Sequence, residues 1–224
     1  MLKSGQNKQK EFAIIGLGRF GRAIVRTLSA KGYCVVGIDR DSRKVQRVSE
    51  YCTQVAVADS TNEDALKAFD ISSFDAVIVA IGSDFESNLI TTVALKALGA
   101  RHVICKALSE RQKEILLRIG ADRVIRPESD AGQRLATELI APNLLEQISF
   151  GDGHSVIELR VSKSMTGKTM AEIDLQDNYG VNVVAIRHKA AVTLSPKASQ
   201  VLMENDILVI IGETSRVGKL AEQN

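Results

Sequence analysis

Three glycines, Gly16, Gly18 and Gly21, stand in the spacing G-x-G-x-x-G, and a carboxylate, Asp39, closes the next apolar run. Residues of these types in this order suit one task, which is holding the phosphates and ribose of a nucleotide. Gly16 allows a tight turn, Gly18 lets backbone approach a pyrophosphate, and Gly21 lets a helix pack closely on a strand. A helix starting at these glycines offers free N–H groups and a partial positive charge to the phosphates. Asp39 is expected to accept hydrogen bonds from both ribose hydroxyls. It also disfavours NADP, whose extra phosphate it would repel.

The elements that must position these residues surround them. Residues 12–15 are a short apolar run bounded by glycine and read as a buried parallel strand. Ile24 and Leu28 then share one face of a helix that ends at Lys31-Gly32, a basic last turn and a glycine cap. Residues 34–38 form a second strand ending in Asp39. Strand, glycines, helix, strand and acid fall in the order the motif requires, so a Rossmann-type nucleotide site is expected. A glycine turn that binds nothing is the alternative.

Further along, residues 42–50 read as a short charged helix and 54–58 as a third strand. Thr61 with Asp64 resembles a helix cap and its partner, leading into residues 65–69. Residues 75–81 are a buried strand closed by Gly82. Helices over 87–98 and 110–119 alternate with strands over 102–106 and 123–125. Six such alternations predict an α/β domain with a doubly wound parallel sheet over residues 10–127. Residues 128–140 are one more helix with no strand to return to, and 128–150 read as a crossover helix and linker. Within it, 144–150 either continues the helix or begins the linker. From 151 to 224 the pattern is β-rich (SVIELRV, VNVVAIRH, AVTL, DILVII), with a short helix over 168–173. This predicts a small α+β lobe, of a size that suggests pairing with a second copy.

Composition sets limits on function. The chain has 224 residues, 45% hydrophobic and 25% charged, with net charge +2. That balance gives no electrostatic footprint for nucleic acid or an anionic membrane. No run of about 18 apolar residues predicts a membrane span. The polar N-terminus lacks an apolar signal core, so secretion is not expected. Cys34, Cys52 and Cys105 form no C-x-x-C pair, and Cys34 and Cys105 lie in strand runs as core residues. This usage fits a reducing cytosol.

The whole pattern resembles the cytosolic regulatory subunits of bacterial potassium uptake systems of the Trk/Ktr type, which carry an RCK domain (regulator of potassium conductance). The residues that carry the resemblance are FAIIGLGRFG (12–21), VGIDRD (36–41), FDAVIVAIG (74–82), IGADRVIRPESD (119–130), and YGVNVVAI followed by LSP (179–186, 194–196). It spans about residues 10–220.

The resemblance implies a nucleotide sensor without catalysis. Such subunits form homodimers that assemble into octameric rings, docked on a membrane potassium-translocating subunit at the inner face of the cell membrane. They bind ATP or ADP, and some bind NAD(H), with ATP favouring the open transporter. By resemblance the cradle is Gly16, Leu17, Gly18, Arg19, Phe20 and Gly21, with Asp39 and Arg40. Arg19 maps onto the arginine that reaches the terminal phosphate, in some members across the dimer. Its planar fork suits that contact. Asp59 and Ser60 map near the adenine, Ile81 and Gly82 onto the sheet rim, and Lys106 faces the same crevice. Glu128 maps onto a glutamate that in some members holds Mg2+ or Ca2+ beside the phosphates. The second lobe of some Gram-positive relatives binds cyclic di-AMP at a motif I-D-L-R-x-x-Y-G-x-N. Here Gln176 stands where arginine is usual and Asp177 adds an acid, which counts against strong binding. Asn182, Arg187, His188 and Pro196 are the candidate contacts.

The alternative for Arg19 is a solvated first-turn arginine, but its place between two cradle glycines favours a phosphate role. Glu128, just after a proline, suits a helix start by the dipole alone. His188 reads first as an exposed hairpin residue, and His102 as structural. The competing function is an NAD-dependent oxidoreductase or redox sensor. Hydride transfer needs a positioned acid or base, and no Tyr-x-x-x-Lys or paired His and Arg supplies one. A third reading is a ligand-binding module that regulates some other transporter.

Overall fold

The computed structural model describes residues 10–151 and 153–223. The chain divides into two units, the first ending at Ser129 and the second beginning at Asp130.

The first unit runs β1 (Glu11–Ile15), α1 (Arg19–Ala30), β2 (Cys34–Asp39), α2 (Ser42–Gln46), β3 (Gln54–Val57), α3 (Glu63–Lys67), β4 (Ala76–Val79), α4 (Phe85–Ala97), β5 (Val103–Lys106), α5 (Glu110–Arg118) and β6 (Arg123–Ile125). All six strands are parallel, in the order β3-β2-β1-β4-β5-β6. Every residue of β4 is buried, as are Ala13, Ile14 and Ile15 of β1. A strand covered by helices on both faces requires such a continuous apolar run. Leu66, Leu95 and Leu116 from α3, α4 and α5 pack one face; Val25 and Val45 from α1 and α2 pack the other. Each fully buried leucine contributes roughly 1.5–3 kcal/mol. Strand order reverses between β1 and β4, and a doubly wound sheet opens its crevice at that point, outside the carboxyl ends of the strands.

Two local expectations are corrected here. Residues 42–50 are not one helix: α2 gives way to a 3-10 turn over Ser49–Tyr51. The tighter turn keeps Val45 and Val48, three residues apart, both buried. The cap of α3 is Asn62, whose side chain accepts from the Asp64 and Ala65 amides. Thr61 instead donates to Asp59.

α6 (Pro127–Ile140) leads into the second unit. Residues 144–150, expected to continue the helix or begin a linker, are a strand, β7 (Leu144–Phe150). It is followed by β8 (His154–Arg160), α7 (Met170–Ile173), α8 (Leu175–Tyr179), β9 (Asn182–His188), β10 (Ala191–Leu194), β11 (Ile207–Glu213) and α9 (Thr214–Gln223). These strands form an antiparallel sheet in the order β10-β9-β11-β8-β7. A register shift between Leu144 and Glu146 breaks the alternation of β7, which is why its sequence does not read as a strand. The core of this unit includes Ile157, Leu159, Leu175, Leu202, Leu208, Ile210 and Leu220. No described helix is long and apolar enough to cross a membrane.

Candidate functional site

A cleft with a cavity of about 150 Å³ opens at the carboxyl ends of the first sheet. Gly16 and Gly18 line it after β1, Asp39, Arg40 and Lys44 after β2, Asp59 and Ser60 after β3, and Ile81, Gly82 and Asp84 after β4.

The glycine turn is held tightly. Gly16 has φ +92°, and its N–H donates to the Ile38 carbonyl at 2.8 Å. A Cβ at Gly21 would stand 2.0 Å from the Gly16 oxygen, so only glycine lets α1 begin here. Around Gly18 a Cβ would meet nothing within 4 Å, which leaves open space at the tip of the turn. No side chain caps α1 and no acidic residue sits in its first turn. By contrast α2, α3, α4 and α5 are capped by Asp41, Asn62, Asp84 and Ser109. An uncapped start leaves N–H groups and a positive dipole end for an anion.

Asp39 is part of that turn. It is 6% exposed, and its carboxylate accepts from the Leu17 amide at 2.7 Å, the Asp41 amide at 2.9 Å and Lys44 Nζ at 3.4 Å. A carboxylate offers about four acceptor sites, so about one is left. Its main partner here is the loop, and the remaining acceptor site is the one that the expected ribose contact would use. Leu17 contributes backbone, since its side chain is fully buried.

The rim residues are also engaged. Asp59 accepts from the amide and hydroxyl of Thr61, which holds its carboxyl below the usual range. The Ser60 hydroxyl is buried and shares a 2.8 Å hydrogen bond with Thr91. Arg40 reaches Asp84 at 3.5 Å, but the arginine side chain is 67% exposed, so the pair is weak.

Lys106, at the end of β5, is buried, and its Nζ lies 2.5 Å from Glu128 Oε1 and 5.7 Å from the centre of the Phe20 ring. A Cβ at Gly82 would touch Lys106 at 3.4 Å. The hydrogen bond from Lys106, with the charges of Lys106 and Arg19 beside it, holds the Glu128 carboxyl below its usual range. Arg19 opens α1 and is exposed, sharing a shallow face with Arg22 and Arg26. The structure thus gathers Gly16, Gly18, Asp39, Arg40, Asp59, Ser60, Ile81 and Gly82 around one cleft. It sets Phe20, Lys106 and Glu128 together, with Arg19 near the glutamate.

Sequence models divide the chain in two: a TrkA-N domain matches residues 12–127 and a TrkA-C domain residues 156–223. The chain is 35% identical to Ktr system potassium uptake protein C of Bacillus subtilis, over 96% of this chain and 97% of that one. Ktr system potassium uptake protein A of the same organism is 34% identical, over 98% and 99%. The chain belongs to the TrkA-N/TrkA-C family of Ktr potassium uptake proteins. Among solved structures, the GsuK RCK domain aligns with a TM-score of 0.65 at 18% identity, covering 97% of this chain and 48% of that one. The GsuK channel bound to NAD aligns with a TM-score of 0.64, also at 18%, covering 95% and 39%. The chain thus spans less than half of either GsuK chain, and identities this low show a shared fold.

The TrkA-N half carries cleft residues that sequence reading missed. Lys44 gives no local signal. Asp84 does: it caps α4 and accepts from the amide and hydroxyl of Ser87, a pattern of acid and serine three apart. In the TrkA-C half, Asn182 is exposed and Pro196 half-buried. Arg187 is tied to Glu158, and His188 Nδ1 lies 2.6 Å from Asp206 Oδ1. His188 is thus a hairpin residue, as expected, with its side chain 42% exposed, and it is also paired with Asp206. Asp206 is 2% exposed and also accepts from the Met203 amide at 2.8 Å. Asp206→Ala leaves that amide and His188 without an acceptor. It should destabilise the second unit by about 2–3 kcal/mol, read as a lower midpoint in denaturant unfolding.

Proposed function

We propose that this chain is a nucleotide-sensing regulatory subunit of a membrane potassium transporter, with the first-unit cleft as the sensor. The observation that carries the reading is the uncapped glycine start of α1 opening onto a cleft walled by Asp39, with Lys106 and Glu128 beside Phe20. The residues fit a nucleotide: backbone N–H groups at the helix start suit one phosphate, and the cations of Lys106 and Arg19 suit the next. Arg40, Asp59 and Ser60 flank the space for the base, and Ile81 and Gly82 form the rim. Lys106, in turning to a phosphate, releases Glu128, whose freed carboxylate is a hard oxygen ligand for Mg2+ or Ca2+. The sensor works only if ATP and ADP bind two conformations with different affinity. The likeness to Ktr proteins supports a membrane potassium-translocating partner; a cytosolic site of action and assembly through dimers into a ring belong to the same reading. The likeness also supports a regulatory role rather than an enzymatic one. Burial pushes the Cys52 and Cys105 thiols up to about 11, so neither is a thiolate at neutral pH, which weighs against redox sensing through them.

Calorimetric titration of the nucleotide-stripped protein with ATP, ADP and NADH, with and without Mg2+, tests the reading. Binding of ATP and ADP with different cation dependence is the expected result; binding of NADH alone would replace it with a redox function. Arg19→Gln should weaken ATP roughly 10- to 100-fold, the worth of one charged hydrogen bond, and ADP much less.

A further inference from the structure

We infer that Asn88 is a positioning residue for the cleft, acting through Lys106. Asn88 sits on α4, is 1% exposed, and is absent from the cleft wall. Its Nδ2 donates to the Ile81 carbonyl at 2.7 Å and to the Lys106 carbonyl at 2.9 Å. The last β4–β5 pair is Val79 with Cys105. Ile81 and Lys106 therefore lie beyond the ladder, where the two strands no longer hold each other. One amide takes over that task just past the last β4–β5 pair, behind the Ile81 rim of the cleft.

The orientation of the amide is fixed by its surroundings. Both strand carbonyls are acceptors, so only the NH2 end can serve them. Thr92 donates to the Asn88 carbonyl at 2.7 Å and lies 3.4 Å from its Oδ1. Thr92 also contacts Cys105 Sγ at 3.2 Å, which ties the same turn of α4 to β5. Asn88 thus sets the distance between the Gly82 rim and the backbone of Lys106. From that backbone the ammonium reaches Glu128, over Phe20. A displaced Lys106 would meet neither the glutamate nor a phosphate at the proper distance, although Asn88 touches no ligand.

This inference rests on the nucleotide reading of the cleft. Its test is a double-mutant cycle on the full chain: ATP and ADP affinities by calorimetry for the wild type, Asn88→Ala, Lys106→Met and the double variant. Asn88→Ala should weaken ATP about tenfold, the scale of one charged contact made poorly. In the Lys106→Met background the same substitution should change affinity less than twofold. Losses that multiply across the cycle, or an unchanged affinity in Asn88→Ala, overturn the role. Should Asn88→Ala not fold, Thr92→Val takes its place. It keeps the shape, removes the hydroxyl that ties this turn of α4 to Cys105 of β5 and to the Asn88 carbonyl, and should show a smaller loss that again vanishes with Lys106→Met; a loss that persists undiminished in the Lys106→Met background overturns the inference. A wild type that binds none of these nucleotides sinks the nucleotide reading and this inference with it. A wild type that binds, with independent losses, sinks only the role of Asn88.

Discussion

Asp39→Ala is expected to lower the stability of the first unit by about 3 kcal/mol and to abolish measurable nucleotide binding. The carboxylate is almost fully buried and receives two backbone N–H groups and one ammonium. Alanine leaves the buried Leu17 amide with no acceptor, and a buried donor so orphaned costs about 1–3 kcal/mol. The loop that Leu17 belongs to is the cradle itself, so fold and binding fall together. Asp39→Asn keeps the volume and one acceptor oxygen and should lose less than half as much stability. Denaturant unfolding and calorimetry on the same samples decide the matter. An alanine variant as stable as the wild type would mean that the glycines alone hold the turn.

The second large effect separates two glycines of one motif. Gly21→Ala forces a Cβ to within 2.0 Å of the Gly16 oxygen, and the obstacle is backbone with no flexible end to yield. Stability should fall by about 3 kcal/mol, the upper range for overpacking, with loss of nucleotide binding. Gly18→Ala meets nothing within 4 Å, and its φ of −68° is open to any residue. That variant should unfold within about 0.5 kcal/mol of the wild type. It should nonetheless bind ATP at least about 100-fold more weakly, because its methyl fills the space a pyrophosphate needs. If Gly18→Ala binds normally, the open space at the turn serves no ligand and the cleft must be read again.

The fold of the first unit was legible because its signals are local and redundant. Apolar runs, glycine caps and the phosphate motif each point to the same alternation, and a sheet buried on both faces writes itself as unbroken Val and Ile. The second unit was less so. β7 exposes six of its seven residues and carries a register shift, so neither period nor hydrophobicity marks it. α8 is a helix of only five residues that follows α7 at once, its Asp174 cap in a left-handed conformation, and α9 starts directly from β11, so no polar break sets either apart. At the site, residue types were readable but commitments were not. Sequence names Asp39 as a ribose ligand; only structure reveals that the loop also depends on it. Asn88 gives no sequence signal, because its meaning lies in two carbonyls 7 and 18 residues away.

The place of β1 at the middle of the first sheet has a consequence for synthesis. Its flank facing β2 is filled early, but Phe12 pairs with Ala76, which is 76 − 12 = 64 residues later. At translation rates of 5–20 residues per second, the open flank waits roughly 3–13 s. During that interval Ala13, Ile14 and Ile15 present an apolar strand with a free edge, the feature most prone to pairing with another nascent chain. Slower elongation before β4 should therefore lower the soluble yield of the chain, while the folded protein that escapes would be unchanged.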